Sequence, residues 1–407
     1  MALIVQKYGG TSVANPERIR NVAKRVAKEF DKGNDMVVIL SAMAGVTDGL
    51  LRLAAEMAET PDRREVDVLL ATGEQTTASL LAITLKNMGY PAISLLGFQA
   101  EVVTDCNYSN ARIVDIGANR IKTLIEKRNI VVIAGFQGCD ADGNITTLGR
   151  GGSDTSAVAI AAAIKADKCE IFTDVDGVYT ADPNVCSKAR KIDKISCEEM
   201  LEMASLGAKV LHLRSVEFAL KHNVLVYVRS SFNEEEGTML VNGSHDHDME
   251  RPVVSGITYS KSDARITLKK VPDQPGIAAK IFTPISDANI NVDMIIQNTR
   301  AGGQTDLTFT VPKTEFKRAL EIERKVAEEI KAEAVWGDEH IAKVSVTGIG
   351  MKSHSGVAAK MFSALAAEKI NIIMISTSEI RISCVVEEKN AELAVRALHT
   401  AFGLDKE

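Results

Sequence analysis

The stretch Thr147-Leu148-Gly149-Arg150-Gly151-Gly152-Ser153-Asp154-Thr155-Ser156 concentrates residues that can do chemistry. Its three glycines let the backbone run close to a ligand with amides turned outward. The small apolar run 157–166 that follows predicts a helix opening on Ser153 or Asp154. A glycine turn feeding a helix N-terminus seats an anion, because unpaired amides and the helix dipole both favour negative charge. Arg150 adds a planar fork suited to a carboxylate or phosphate. Taken alone, the stretch can also be read as a tight turn with a capped helix.

Other segments share this grammar. Lys7 ends a predicted strand and is followed by Tyr8-Gly9-Gly10-Thr11-Ser12, with a helix beginning near Asn15-Pro16. A lysine at the mouth of a strand–Gly-Gly–helix turn can hold phosphates beside backbone amides. Neither the Walker spacing GxxxxGK[ST] nor a GxGxxG dinucleotide fingerprint occurs. Ser41-Ala42-Met43-Ala44-Gly45-Val46-Thr47-Asp48 follows a second strand in the same way. Thr72-Gly73-Glu74 is read as preceding a long apolar helix, with Glu74 either a first-turn acid or a binding carboxylate. Thr173-Asp174-Val175-Asp176-Gly177-Val178-Tyr179-Thr180-Ala181-Asp182-Pro183 combines turn residues with polar groups suited to nucleotide contacts, and Gly207-Ala208-Lys209-Val210-Leu211 offers a second lysine.

Positioning these loops requires strands that end together. Predicted strands at 3–6, 36–40, 92–95, 130–134, 170–173 and 224–228 alternate with helices such as 16–30 and 198–209. Near-continuous apolar strands between helices imply a mostly parallel sheet covered on both faces, which binds ligands beyond its carboxyl ends. The polar, glycine-bearing stretch 233–252 reads as a linker. Beyond it lies a repeat: Gly276–Phe282 matches Gly356–Phe362, and Ile290–Ile295 matches Ile370–Ile375, both offset by 80 residues (276 to 356, 290 to 370). Each copy reads as a β-α-β-β-α-β module.

The bulk numbers narrow the function. At 407 residues two or three domains are expected. A net charge of −6 without a basic stripe argues against a nucleic-acid surface. The N-terminal apolar run is too short for a signal peptide, and no span is read as approaching the ~20 apolar residues of a membrane helix. Six scattered cysteines without CxxC spacing fit reduced thiols in a cytoplasmic protein and argue against structural zinc.

In this order, Lys7-Tyr8-Gly9-Gly10-Thr11-Ser12, Thr72-Gly73-Glu74, Gly149–Asp154, Thr173–Tyr179 and Gly207-Ala208-Lys209 closely resemble the aspartate kinases of the amino-acid kinase family. The repeat resembles the ACT pair that ends those proteins, so the likeness spans essentially the whole chain. It implies an α/β fold: a three-layer αβα kinase domain with a mostly parallel sheet over 1–245, then ferredoxin-like βαββαβ ACT modules over 262–340 and 341–407. In the family the first module is inserted within the second, so a strand in 250–265 can belong to either.

The implied reaction passes the γ-phosphoryl of ATP, with Mg²⁺ carried by the nucleotide and no separate protein metal site, to the side-chain carboxylate of L-aspartate. The products are 4-phospho-L-aspartate and ADP, opening lysine, threonine and methionine synthesis. A carboxylate is already a nucleophile, so the lack of a Ser/His/Asp set fits, and catalysis rests on alignment and charge neutralisation.

By resemblance, Lys7 and Lys209 contact ATP phosphates, and Asp154 orients the lysines or the metal shell. Tyr8, Gly9, Gly10, Ser41, Thr173, Asp174, Tyr179, Asp182 and Val210 line the nucleotide. Arg150 clamps the aspartate α-carboxylate and Glu74 its ammonium, with Thr47, Gly151, Gly152 and Ser153 beside them. One departure is Asn184, where these kinases usually carry Arg; it keeps hydrogen bonding and loses the charge. Lysine, threonine or both are the implied effectors, held by Asp273, Gly276, Ile277, Ala278, Asn291, Val292, Asp293 and Gln297. The second copy, Lys352-Ser353-His354-Ser355-Gly356, lacks an acid matching Asp273 and suits interface packing. ACT pairs imply a homo-oligomer, and Met249 is a conceivable internal start for a separate regulatory chain. The competing readings are a glutamate, acetylglutamate or carbamate kinase, and a non-catalytic amino-acid sensor.

Overall fold

The structure, a computed structural model, describes residues 1–206, 210–243, 254–300, 302–349, 351, 354 and 356–406. The chain divides into two units. One comprises Met1–Val178, Lys191–Ser205 and Lys209–Met249; the other comprises Tyr179–Arg190, Leu206–Ala208 and Glu250–Glu407.

The first unit is built on an eight-stranded sheet. At its heart Leu3–Tyr8 lies between Asp35–Leu40 and Lys168–Thr173, parallel to both. Ile130–Ala134 and Ala92–Leu95 extend it in parallel on one side, and Val226–Ser230 on the other. Only Thr238–Val241 runs antiparallel to its neighbour Val226–Ser230 among the described pairings. Every residue of Ile130–Ala134 is buried, as expected of a strand covered on both faces. A smaller four-stranded sheet includes Ile145–Thr147, whose end feeds the glycine-rich loop.

Local sequence explains the helices around this sheet. Asn15 caps Pro16–Asp31 by accepting the Arg18 amide, and Ile19, Val22, Ala23 and Val26 bury one face. Asp62 caps Arg63–Asn87 by accepting the Arg64 and Glu65 amides. Two corrections follow. Thr72-Gly73-Glu74 lies inside this helix rather than before it, so Glu74 is not a first-turn acid. The 25-residue helix is also long and apolar enough, by length and composition, to cross a membrane, although half of its apolar window is buried and it carries the buried acids Asp67 and Glu74. Gly73 permits its close packing: a Cβ there would stand 2.8 Å from the Ala42 Cβ. The helix after the glycine loop spans Gly152–Ile164, opening just ahead of Ser153 because Gly151 takes the left-handed conformation (φ 66°).

The second unit holds two four-stranded sheets with the same spatial arrangement of strands. In the first, Asp263–Pro272 is flanked by Gln304–Pro312 and Ala334–Asp338, with Asp293–Arg300 at the edge beside Gln304–Pro312. In the second, Ile341–Thr347 is flanked by Arg381–Glu387 and Gly256–Ser260, with Met374–Thr377 at the edge. The strand that precedes the first module in the chain therefore completes the second. The modules join through Met294, Ile341, Met374 and Val385, and through Lys343, which reaches Asp293 at 2.6 Å and Asp263 at 3.5 Å.

The unit also takes in Tyr179–Arg190. Ala181 and Cys186 are buried with Ile257, Val344, Val395 and Leu398. The Thr180 hydroxyl lies 2.9 Å from His399 Nε2, and Arg190 Nε donates to the Leu404 carbonyl at 2.8 Å.

Burial holds the His399 imidazole below the usual histidine value, so the folded state prefers it neutral. Its contribution to stability is then complete above about pH 6.5 and is lost as pH falls. Thermal unfolding between about pH 7.5 and 5.5 should show a loss of Tm on acidification that is smaller in His399→Gln; equal slopes would exclude His399 as the cause.

Candidate active site

At the carboxyl ends of the central parallel strands, loops of the first unit enclose a cavity of about 650 Å³. Lys7 and Gly10 come from the end of Leu3–Tyr8, and Ser41 to Asp48 from the end of Asp35–Leu40. Glu74 comes from the helix Arg63–Asn87, and Gly149 to Asp154 from the glycine-rich loop. The sheet thus brings Lys7, Gly10, Ser41, Thr47, Glu74, Arg150, Gly151, Gly152, Ser153 and Asp154 onto one cavity.

Lys7 is 8% exposed, and its Nζ lies 2.5 Å from Asp154 Oδ1. Close packing nearby needs Gly10, where a Cβ would stand 2.9 Å from the Ala42 carbonyl oxygen; one on Gly9 would make only ordinary contact with Lys7 Nζ at 3.5 Å. In the glycine-rich loop, Gly151 adopts a positive φ with the His212 ring packed against it, leaving no room for a side chain. A Cβ on Gly152 would stand 2.7 Å from the Phe136 ring. Burial holds His212 below the usual histidine value while Asp154 pulls it upward.

Glu74 is 3% exposed. Its Oε1 accepts the Ala42 amide at 3.0 Å, whereas Oε2 has no hydrogen-bond partner among the described residues. Burial pushes its carboxyl up to about 7, and the Ala42 amide only partly offsets this. A buried carboxylate with an unmatched oxygen on a cavity wall suits a cationic ligand group. Arg150 is exposed on the same cavity, so both charge signs are available to one zwitterion.

The other sequence candidates fall elsewhere. Tyr8 does not line this cavity: its ring is fully buried and stacks on Phe172 at 4.7 Å, its hydroxyl donates to Gln6, and burial pushes the phenol well above its usual value. Only its carbonyl, which accepts the Ser41 amide, bears on the cavity loops. Thr173, Asp174 and Val210 are in the first unit but do not line this cavity. Tyr179 and Asp182 belong to the second unit, where Asp182 accepts from the Asn184 amide and side chain at 2.9 and 3.1 Å. Lys209 lies outside the described residues. Among effector candidates, Asp273 and Ala278 are exposed beside Gly276, the left-handed cap (φ 89°) of Ile277–Asp287, while Ile277 is buried. Asn291 and Gln297 are exposed, Val292 packs partly against the first module's core, and Asp293 is engaged by Lys343.

Sequence reasoning missed Asp67, Ser109, Phe136, His212 and Arg214. A polar signal was present for Asp67: it sits two helical turns before Glu74 on the same face of an otherwise apolar buried stripe. The others become neighbours only through chain reversal.

Comparison with known proteins agrees with this architecture. Residues 2–230 match the Amino acid kinase family, and residues 265–329 and 344–402 each match an ACT domain. An aspartate kinase of Stutzerimonas stutzeri and an aspartokinase of Pseudomonas aeruginosa are each 55% identical over 405 residues, covering 100% of this chain and 98% of the relative. A Helicobacter pylori aspartokinase is 50% identical over 406 residues, 99% of this chain and 100% of its own length. The structure of E. coli aspartokinase III in complex with aspartate and ADP aligns with a TM-score of 0.82 at 26% identity, over 98% of this chain and 99% of that one. The same enzyme with lysine and aspartate aligns at 0.77, with the same identity and coverage. Its kinase domain, paired ACT modules and full-length relatives together establish that this chain belongs to the amino acid kinase family, among its aspartate kinases.

Proposed function

We propose that this chain transfers the γ-phosphoryl of MgATP to the side-chain carboxylate of L-aspartate in the cavity between Glu74, Arg150 and the Lys7–Asp154 pair. The supporting observation is Glu74: a buried carboxylate with one unmatched oxygen faces a cavity that also carries an exposed arginine and a buried ion pair. In this reading Glu74 accepts the substrate ammonium and Arg150 holds its α-carboxylate. The side-chain carboxylate then attacks the γ-phosphorus in line, and ADP leaves. No proton is removed from the nucleophile, so no general base is needed. Lys7, oriented by Asp154, meets the charge on the transferring phosphoryl group, and Mg²⁺ arrives with the nucleotide and shares it. Lys209 is the second phosphate contact, and Thr173 and Asp174 are nucleotide contacts.

The product opens the synthesis of lysine, threonine and methionine in the cytoplasm. Lysine, threonine or both act as feedback inhibitors at the first ACT module. Its edge strand Asp293–Arg300, unpaired on its outer side among the described residues, supports assembly into a homo-oligomer.

ADP release measured with aspartate, glutamate, acetylglutamate and carbamate in turn should be fastest with aspartate; preference for another acceptor would overturn the reading. Lys7→Ala should lower kcat by about 10²–10³-fold with a smaller change in aspartate KM, because its charge acts chiefly on the transition state. A folded Lys7→Ala protein with near-normal kcat would remove Lys7 from the mechanism.

Since Glu74 must be ionised to accept an ammonium, and its carboxyl is raised to about 7, kcat/KM for aspartate should climb with pH up to that value. The fall below it should approach about tenfold per pH unit. Glu74→Gln should raise aspartate KM and flatten this limb; an unchanged limb would assign the titration to another group.

Asp273→Ala should weaken inhibition by lysine, threonine or their mixture about ten- to a hundredfold, the worth of one charge-assisted contact. Uninhibited kcat should hold, because inhibition is a coupling between separate sites. Unaltered inhibition curves would place the effector elsewhere.

A further inference from the structure

Asp67 is a buried carboxylate that the mechanism above does not use. It is 0% exposed, yet its two oxygens accept five hydrogen bonds, all from two residues of the cavity wall. Both oxygens take the Ser109 amide, at 3.0 and 2.9 Å, and Oδ1 also takes the Ser109 hydroxyl at 3.3 Å. The Thr147 amide donates to Oδ2 and its hydroxyl to Oδ1, each at 2.7 Å. Ser109 is held in the left-handed region (φ 70°), a conformation a serine adopts only when its surroundings demand it. Thr147 is the last residue of its strand, and the chain runs from it directly into the loop that carries Arg150. From the other side Arg214 Nη1 grips the Leu148 carbonyl at 2.6 Å. Asp67 also shares one rigid helix with Glu74.

One carboxylate therefore ties the helix carrying Glu74 to the root of the loop carrying Arg150. We propose that Asp67 is a positioning residue for the amino-acid substrate: it sets the separation of Glu74 and Arg150 and, with it, how far an acceptor carboxylate reaches toward Lys7 and Asp154. This rests on the assignment of Glu74 and Arg150 to the α-ammonium and α-carboxylate. A substrate held at its α-groups by a rigid pair presents its side-chain carboxylate at one depth. Tying these walls together thus adds to discrimination against a diacid one methylene longer, a difference that pockets typically turn into about 10–200-fold. Among the described residues the hydrogen bonds of Asp67 go to Ser109 and Thr147 and not to Lys7, Gly9 or Gly10, so the nucleotide side should be indifferent to it.

The test is full steady-state kinetics on Asp67→Asn, which keeps the shape but turns one acceptor into a donor facing donors. Aspartate KM should rise at least about tenfold, ATP KM should stay within about twofold, and the aspartate-over-glutamate ratio of kcat/KM should fall at least about threefold. A folded variant whose aspartate and ATP KM rise together, or in which neither moves, overturns the proposal. If Asp67→Asn does not fold, Thr147→Val decides: it removes one hydroxyl from Asp67 and keeps the amide. Aspartate KM should then rise about threefold or more with ATP KM unmoved, and no rise overturns the proposal. Wild-type protein is assayed alongside. Failure of the wild type to phosphorylate aspartate defeats the underlying assignment, whereas an active wild type with an indifferent variant defeats only the role of Asp67.

Discussion

A carboxylate taken out of water must be answered by donors or it resists ionisation, and the helix Arg63–Asn87 carries two such groups into the interior of the first unit. They are answered in opposite ways. Asp67 is saturated by Ser109 and Thr147, and so acts as a tie between segments. Glu74 receives a single amide and keeps one oxygen unmatched, so its carboxyl stays raised. One helix thereby supplies both a tie between segments and, among the described residues, a buried carboxylate with one unmatched oxygen on the cavity wall.

The sheet determines where that helix can act. Parallel strands place their carboxyl ends at one edge, and the first turns after Leu3–Tyr8 and Asp35–Leu40 meet there with the helix and the glycine-rich loop. The separations are short enough that side chains cannot be accommodated at several points. Gly10 against the Ala42 carbonyl, Gly73 against the Ala42 side chain and Gly151 beneath His212 are packing necessities. This closeness lets an ion pair such as Lys7–Asp154 form at 2.5 Å between residues far apart in sequence.

The second unit is organised by a chain that does not respect linear order. Gly256–Ser260 precedes the first ACT module yet completes the sheet of the second, and Tyr179–Arg190 buries Ala181 and Cys186 in the second module's core. That segment is anchored by the Thr180 hydroxyl on His399. Lys343 spans the modules by pairing with Asp293 and Asp263, so a residue with the pattern of an effector contact also belongs to the joint between them.

The order of elements, the parallel sheet, the duplicated module and most residues of the cavity were legible in the amino-acid sequence. They depend on local physics: apolar runs of strand length, caps such as Asn15, and glycines at turns that need positive φ. Tertiary structure alone decided which polar groups lost their water. It moved Glu74 from a supposed helix start to a buried helix interior, turned Tyr8 away from the cavity into a stack on Phe172, and assigned Tyr179 and Asp182 to the other unit. It also brought Asp67, Ser109 and Thr147 together from three separate segments. A local pattern encodes what a residue does to its own backbone, whereas burial and partnership are set by chain segments that meet only when the sheet has closed around them.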